Sequence, residues 1–221
     1  MSDTAVSPNL REGKAEEVCC YATPCLPGNG DLVVVYRSGS AKHSRDGKLF
    51  CVRSTDEGAT WSQPSVVFDG LSNEEPEAAH TGYIWRNAEG GIDVIFQTVE
   101  ATSPDLYIFS EDGRKLLRRC YHASSSDSGR AWTAPRLLHF PETPRDTFLG
   151  TKPILMAGGD LFIPLEITAK FGQQAILATF ERKAAPQIEP PFVCAEDPSG
   201  KIGYGDPRIT RFPGGRHIML L

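Results

Sequence analysis

The sequence contains one eight-residue pattern, Ser-x-Asp-x-Gly-x-x-Trp, twice. The copies span Ser54–Trp61 and Ser125–Trp132, and a proline follows each within three residues. Agreement at four fixed positions predicts a chain built from repeated modules. The Asp side chain bonds nearby backbone N–H groups, the Gly supplies a positive φ, and the Trp anchors the turn. The pattern is therefore predicted to hold hairpin turns away from any substrate, through Ser54, Asp56, Gly58, Trp61, Ser125, Asp127, Gly129 and Trp132.

Short alternating or β-branched runs fill the chain between turn residues, which predicts an all-β protein. Four hairpins are expected at residues 21–36, 82–96, 153–165 and 209–220, around turn glycines spaced at about sixty residues. Further strands are expected at 48–53, 64–69, 118–123, 135–140, 174–180 and 191–195, with an extra hairpin at 105–117. Four-stranded units in series are typical of propeller blades.

The repeated pattern resembles the Asp-box, or BNR repeat, of the sialidase (neuraminidase) superfamily, where it lies between the third and fourth strands of a blade. The resemblance runs from about Tyr21 to the end of the chain. It implies a six-bladed β-propeller of the sialidase type, of which this chain covers about three and a half blades. The expected division is an N-terminal segment at 1–18 and blades at 19–70, 76–141, 147–196 and 203–221. Remaining blades or a second copy would then close the ring, because open strand edges promote aggregation.

Composition excludes several classes of protein. Mean hydropathy is −0.28, and no run approaches the ~20 apolar residues of a membrane span. A net charge of −5 without large basic clusters argues against nucleic acid or an anionic membrane as a partner. The start lacks a secretory signal, so we expect a cytoplasmic protein with six reduced cysteines. Scattered histidines and cysteines do not support a metal site, and no cofactor is expected.

Polar residues end the apolar runs at the same end of each unit. Seven positions after a turn glycine lie Arg37, Gln97 and Glu166, and seven positions before one lie Lys152 and Arg208. In a propeller these positions converge on one mouth of the channel, where a small-ligand site is expected. We predict that Arg37, Lys152 and Arg208 hold an anionic sugar. Gln97 is a further substrate-binding candidate, and Glu166 would activate or orient a partner.

The loop that follows Arg37 is long and polar. In sialidases the matching loop carries the acid/base aspartate, while a tyrosine with a glutamate partner is the nucleophile and three arginines hold the carboxylate. The resemblance places the acid/base position near His43, with Asp46 three residues later, and both are candidates. Ala22 replaces the arginine of the family's Arg-Ile-Pro signature. Tyr204 is the nearest substitute for the nucleophile, although its glycine-rich surroundings favour a connection between blades.

These observations lead us to expect a sialidase-like glycoside hydrolase, an exo-glycosidase whose glycan substrate ends in an acidic sugar. Two alternatives stay open. In the first, the chain is a non-catalytic carbohydrate-binding or scaffold propeller, since a fold does not determine chemistry. In the second, it is an inactive fragment that cannot close its ring.

Overall fold

The computed structural model describes residues 17–102, 117–140, 148–156, 161–169, 172–180, 188–199 and 201–220. Every regular element within these ranges is a β-strand, and all pairings are antiparallel, which confirms the all-β prediction. Over the same ranges, no helix is long and apolar enough to cross a membrane. The chain divides into two compact units, Met1–Leu137 and Leu138–Leu221.

The first unit contains two four-stranded sheets in which each strand pairs with the preceding one. The first sheet consists of β1 (Val18–Cys25), β2 (Leu32–Gly39), β3 (Lys48–Ser54) and β4 (Ser65–Phe68). The second consists of β5 (Glu77–Arg86), β6 (Ile92–Glu100), β7 (Arg118–Ser125) and β8 (Arg136–Leu138). These strands lie where the apolar runs predict them. Most of the hairpin expected at 105–117 lies outside the described residues.

The second unit contains a five-stranded sheet and a separate two-stranded hairpin. Its strands are β9 (Phe148–Leu149), β10 (Ile154–Leu155), β11 (Leu161–Ala169), β12 (Gly172–Phe180), β13 (Ile188–Ala195), β14 (Arg208–Arg211) and β15 (His217–Leu220). Both β9 and β10 pair with β11, so the first strand of this sheet is interrupted between Leu149 and Ile154. Pro153 lies in the interruption, consistent with its lack of an N–H donor. The sequence predicts only the part of this strand that begins at Pro153.

The two sheets of the first unit share one apolar core. Val33 and Val35 of β2 pack in the same cluster as Ile92, Val94 and Phe96 of β6, and all five are fully buried. Both strands are buried on both faces for most of their length, which explains their nearly continuous apolar sequences.

The first Ser-x-Asp turn lies between β3 and β4 and has the predicted bonding. The Ser54 hydroxyl donates to Asp56 Oδ1 at 2.7 Å and accepts the Gly58 N–H at 2.8 Å. Asp56 also accepts the backbone N–H and the hydroxyl of Thr60. These bonds, led by the Thr60 hydroxyl, lower the pKa of Asp56 to about 2. Trp61 packs against a cluster of buried residues that includes Val52.

The second turn, between β7 and β8, has the same bonding. The Ser125 hydroxyl donates to Asp127 Oδ1 and accepts the Gly129 N–H, each at 2.8 Å. Gly129 has φ 79°, which is the positive value that the pattern predicts. Ser128 before it is also left-handed, with φ 59°, and this strain has no signal in the sequence. Both turns therefore have the hydrogen bonds that the pattern predicts.

Strand register separates these turns from the candidate site. Ser54 pairs with Leu32 at one end of β2, whereas Arg37 pairs with Leu49 near the other end. In the second sheet Ser125 likewise pairs at the start of β6, and Gln97 lies near its end. The Ser-x-Asp turns and the predicted site residues of the first unit therefore lie at opposite ends of their sheets.

Candidate functional site

The first strand of each sheet in the first unit is irregular where it pairs near Arg37 of β2 or Gln97 of β6. The register of β1 shifts between Cys20 and Thr23, and that of β5 shifts between Ala79 and Thr81. Tyr21 lies in the first irregularity with φ 56°, a backbone conformation that bulky residues rarely adopt. Bulges and backbone strain are concentrated near functional sites, where they redirect side chains. This end of the unit is therefore the candidate functional site.

The two irregular strands bring Tyr21 and His80 together with the loop after β2. We call Tyr21, Lys42, His43 and His80 the Tyr21 cluster. The Tyr21 hydroxyl lies 3.4 Å from His43 Nδ1, and the His80 ring meets the Tyr21 ring edge-on at 5.2 Å. Lys42 Nζ lies 5.6 Å from the centre of the Tyr21 ring. The cluster thus combines a phenol, two imidazoles and a cation.

Burial and neighbouring cations keep both imidazoles of the cluster neutral. Burial, then Arg118, His43 and Arg37, lowers the pKa of His80 to about 3. Burial followed by Lys42, Arg37 and Arg118 also lowers the pKa of His43. At neutral pH His43 is therefore suited to accept a proton rather than to donate one.

Arg37 is fully buried, and its guanidinium bonds only to protein groups. Nε donates to Ala79 O at 3.0 Å. Nη1 donates to Ala41 O at 2.7 Å and lies 4.0 Å from Cys20 Sγ. Nη2 donates to Ser44 O at 2.6 Å and to Ser44 Oγ at 3.0 Å. These contacts engage all five N–H donors and tie the loop after β2 to β5. The geometry gives Arg37 a positioning role, in contrast to the direct sugar contact expected from the sequence.

Asp46 is likewise bonded within that loop. Its carboxylate accepts the Ser40 N–H at 3.0 Å and the Ser44 hydroxyl. Burial tends to raise the pKa of Asp46, but the hydrogen bonds from Ser44 and Ser40 outweigh burial and lower it. An ionised carboxylate with these partners stabilises the loop and is less suited to donate a proton than the acid/base role requires. Gly47 completes the packing, because a Cβ there would lie 2.5 Å from Arg37 Nε.

Gln97 lies near the end of β6, as predicted, but it is fully buried. Its Nε2 faces Cys120 Sγ at 3.7 Å, and its side chain lies near enough to His80 to oppose in part the lowering of that imidazole's pKa. Because the Gln97 side chain is fully buried, it is not exposed to a sugar at this end of the sheets, in contrast to the substrate contact expected from the sequence.

The remaining predicted residues lie in the second unit. Glu166 is half-buried near the end of β11, and its Oε2 accepts the Asp206 N–H at 3.0 Å. A Cβ on Gly205 would lie 3.1 Å from that oxygen, which explains a glycine at this position. Lys152 and Arg208 are exposed. Their assembly with the first unit into one anion-binding clamp stays a prediction.

The remaining sequence expectations concern cysteines, metals and Tyr204. All six cysteines are free in the structure. Among the residues that the structure describes, no three His, Cys, Asp or Glu side chains are placed to hold a metal ion. Tyr204 lies between β13 and β14, in the connection where the sequence favours it.

A family model described as a BNR repeat-like domain matches residues 30–187. The chain belongs to this family. No curated protein sequence matches it. The family match agrees with the two Ser-x-Asp turns and confirms the resemblance to the sialidase superfamily.

Solved structures show where this BNR repeat-like fold recurs. A leech intramolecular trans-sialidase is 10% identical with a TM-score of 0.67, over 99% of this chain and 49% of its own. A Penicillium chrysogenum alpha-L-arabinanase is 17% identical with a TM-score of 0.66, over 93% and 58%. The Hadza microbial sialidase Hz136 is 15% identical with a TM-score of 0.62, over 79% and 37%. The BNR repeat-like chain thus spans about a third to three fifths of these structures, and the likeness is one of fold.

Sequence reasoning missed the main members of the Tyr21 cluster. Tyr21 lies nine residues before its turn glycine and His80 lies ten residues before the next one, whereas the predicted site residues lie seven positions from a turn glycine. The strand irregularities bring both residues to the same place despite the unequal count. Lys42 adjoins the predicted His43, so the polar loop was the signal that could have identified it.

Proposed function

We propose that this BNR repeat-like protein is a carbohydrate-active enzyme that hydrolyses glycans at a terminal, acidic sugar. The fold is shared with proteins described as sialidases and an arabinanase, which supports glycan chemistry in general. The observation that carries the proposal is the Tyr21 cluster, where a strained tyrosine lies against His43 and beneath Lys42. It lies at the end of the sheets opposite the Ser-x-Asp turns.

The residues of the cluster have complementary roles in this proposal. The ring of Tyr21 offers an apolar face to the C–H groups of a sugar, and Lys42 offers a charge to its carboxylate. Neutral His43 takes a proton from the attacking water as the glycosidic C–O bond breaks, and it returns that proton to the departing oxygen. Arg37 and Asp46 act by positioning the loop that carries both groups.

The proposal extends to the second unit and to the rest of the ring. Lys152 and Arg208 would add anion contacts, and Glu166 would orient a partner group. Four-stranded sheets joined in series favour a propeller, and six blades would require further blades or a second copy beyond these sheets.

Fluorogenic glycosides test the proposal directly. We expect turnover of an α-sialoside or a β-glucuronide and little turnover of an uncharged α-L-arabinofuranoside. Because Lys42 contacts the carboxylate, Lys42→Ala should raise KM for the acidic substrate by about 10-fold, the effect of one exposed charge-assisted contact. The exposed Lys201→Ala is the matched control and should leave KM unchanged. Turnover restricted to neutral glycosides, or absent on all of them, would refute the proposal.

A second candidate is a non-catalytic glycan-binding domain. It is favoured by Asp46, whose carboxylate is already bonded to Ser40 and Ser44, because most glycosidases need a pair of available carboxyl groups. This candidate predicts glycan binding without product release. Asp46→Ala and Glu166→Ala would then change the Kd and would have no rate to change, which calorimetry alongside the activity assay distinguishes.

A further inference from the structure

Tyr21 and His43 form a paired proton donor and acceptor that hydrolysis alone does not explain. The phenol oxygen and His43 Nδ1 are 3.4 Å apart, so a small movement makes a full hydrogen bond. Both residues are half-buried at the open end of the sheets, whereas His80 behind them is only 4% exposed. The backbone strain at Tyr21 is the cost of holding the phenol in this place.

The charges around the pair favour removal of a proton from carbon. The sugar carboxylate that Lys42 would hold gains negative charge when the neighbouring carbon loses its proton. Cations stabilise that developing charge in a partly dry site. Lys42 lies over the Tyr21 ring, and Arg118 acts electrostatically on both His43 and His80. Burial, followed by Lys42, Arg37 and Arg118, lowers the pKa of His43, so its imidazole is neutral and able to accept a proton.

We propose that the Tyr21–His43 pair gives this site a second activity, the β-elimination of 4-linked uronic acid residues. The inference rests on the proposed function, because it uses the same cation-lined site to hold the carboxylate of an acidic glycan. The substrate class is a polysaccharide or oligosaccharide with glucuronate or mannuronate residues linked through their 4-oxygen.

The step balances without water or a co-reactant. Tyr21 Oη takes the C5 proton while the phenol proton moves to His43 Nδ1. The C5–H electrons form the C4=C5 double bond as the C4–O bond breaks. The departing oxygen takes a proton from Tyr21, and His43 returns the proton it holds to the phenolate. The products are an unsaturated uronate and a glycan with a new free hydroxyl.

One group that removes and returns protons works on a single face of the sugar. The mechanism therefore favours uronates whose C5–H and C4–O bonds lie on the same face, as in glucuronate and mannuronate. Galacturonate, whose two bonds lie on opposite faces, should be a poor substrate. The prediction of this stereochemical preference distinguishes the Tyr21–His43 pair from a site with separate acid and base.

His80 and Gln97 are positioning residues in this proposal. The His80 ring packs edge-on against Tyr21, and the Gln97 side chain near the end of β6 lies close enough to His80 to influence its pKa. Neither needs to touch the sugar. Gln97→Ala should lower kcat with little change in KM, because the Tyr21 side chain is then held less rigidly while Lys42 still binds the carboxylate.

The test incubates the protein with polyglucuronate, polymannuronate, polygalacturonate and carboxyl-reduced polyglucuronate. Ultraviolet absorbance reports the conjugated double bond, and mass spectrometry separates unsaturated from saturated products. We expect unsaturated products from the first two polymers and none from the carboxyl-reduced one. In deuterium oxide, exchange at C5 of residual substrate would report proton removal independently of cleavage.

Variants connect the activity to the pair. Tyr21→Phe keeps the ring, and His43→Gln keeps a polar side chain. Each should lower the elimination rate by about 10²- to 10⁴-fold, the usual contribution of a general acid or base. The exposed His139→Gln is the matched control and should retain the rate. Thermal melting of each variant shows whether a lost rate reflects lost folding, and the conservative Tyr21→Phe variant is the decisive one.

Every outcome decides the inference. Unsaturated products that depend on Tyr21 and on the carboxylate support it. Saturated acidic sugars alone overturn it and leave the proposed hydrolysis standing. Glycan binding without any product overturns it and favours the binding-domain candidate, whereas no binding and no product overturn the inference and the proposed function together. Unsaturated products with full activity in Tyr21→Phe overturn the assignment of the pair.

Discussion

Substitution of Gly129 tests whether the Ser-x-Asp turns anchor the shared core. Gly129 has φ 79°, and an added Cβ would lie 2.8 Å from Cys51 Sγ, 3.4 Å from Val33 Cγ1 and 3.5 Å from Ile92 Cδ1. The left-handed backbone costs a residue with a Cβ about 1–2 kcal/mol. Overpacking of a filled core costs about 1–3 kcal/mol more. Gly129→Ala should therefore lower the free energy of unfolding by about 2–5 kcal/mol.

Gly30→Ala is the matched control for this prediction. Gly30 has φ 86°, but nothing lies within 4 Å of the position its Cβ would occupy. This variant should lose only the backbone contribution of about 1–2 kcal/mol. Urea unfolding followed by tryptophan fluorescence measures both, because Trp61 and Trp132 belong to the two turns. Equal losses in the two variants would refute the packing of Gly129 against the core.

Three further predictions concern stability. Ser125→Ala should lower the free energy of unfolding by about 1–3 kcal/mol, because the Gly129 N–H loses its acceptor. An unchanged midpoint in urea unfolding would contradict this. Arg37→Lys should give a larger loss than the exposed Arg86→Lys, because an ammonium cannot reach the carbonyls that the guanidinium joins, and equal midpoints would contradict that role. The pKa of His80 is about 3 in the folded chain and 6.5 ordinarily, so the unfolded chain binds the proton first as the pH falls. The contribution of neutral His80 to stability is therefore complete above about pH 6.5 and is lost as the pH falls toward 3. His80→Gln should make the urea midpoint depend less on pH over this range. An unchanged pH dependence would show that His80 is not the group responsible.

Local chemistry made much of the fold predictable. The Ser-x-Asp turns bond within eight residues, and the hairpins follow glycine turns and alternating runs, so their signals do not depend on distant residues. The two-residue strand Phe148–Leu149 was missed because it is too short to show alternation. Its pairing with β11 arises from the tertiary structure and not from its own sequence.

The site was predictable in location but not in detail. Strand register places Arg37 and Gln97 near strand ends, as the count from the turn glycines predicts. Their burial depends on β5 and on the folded loop, so the sequence alone could not reveal it. Tyr21 and His80 meet only because two strands are irregular, and irregularities alter the count on which the prediction depends.

One assay of acidic-glycan turnover compares the two ends of the first unit most directly. Lys42→Ala changes the Tyr21 cluster, whereas Asp56→Ala changes a Ser-x-Asp turn at the opposite end of the sheets. We expect kcat/KM to fall about 10-fold in Lys42→Ala, the effect of losing one charge-assisted contact, and to be unchanged in folded Asp56→Ala. A full rate in Lys42→Ala, or an equal fall in both variants at equal folded fractions, would contradict it.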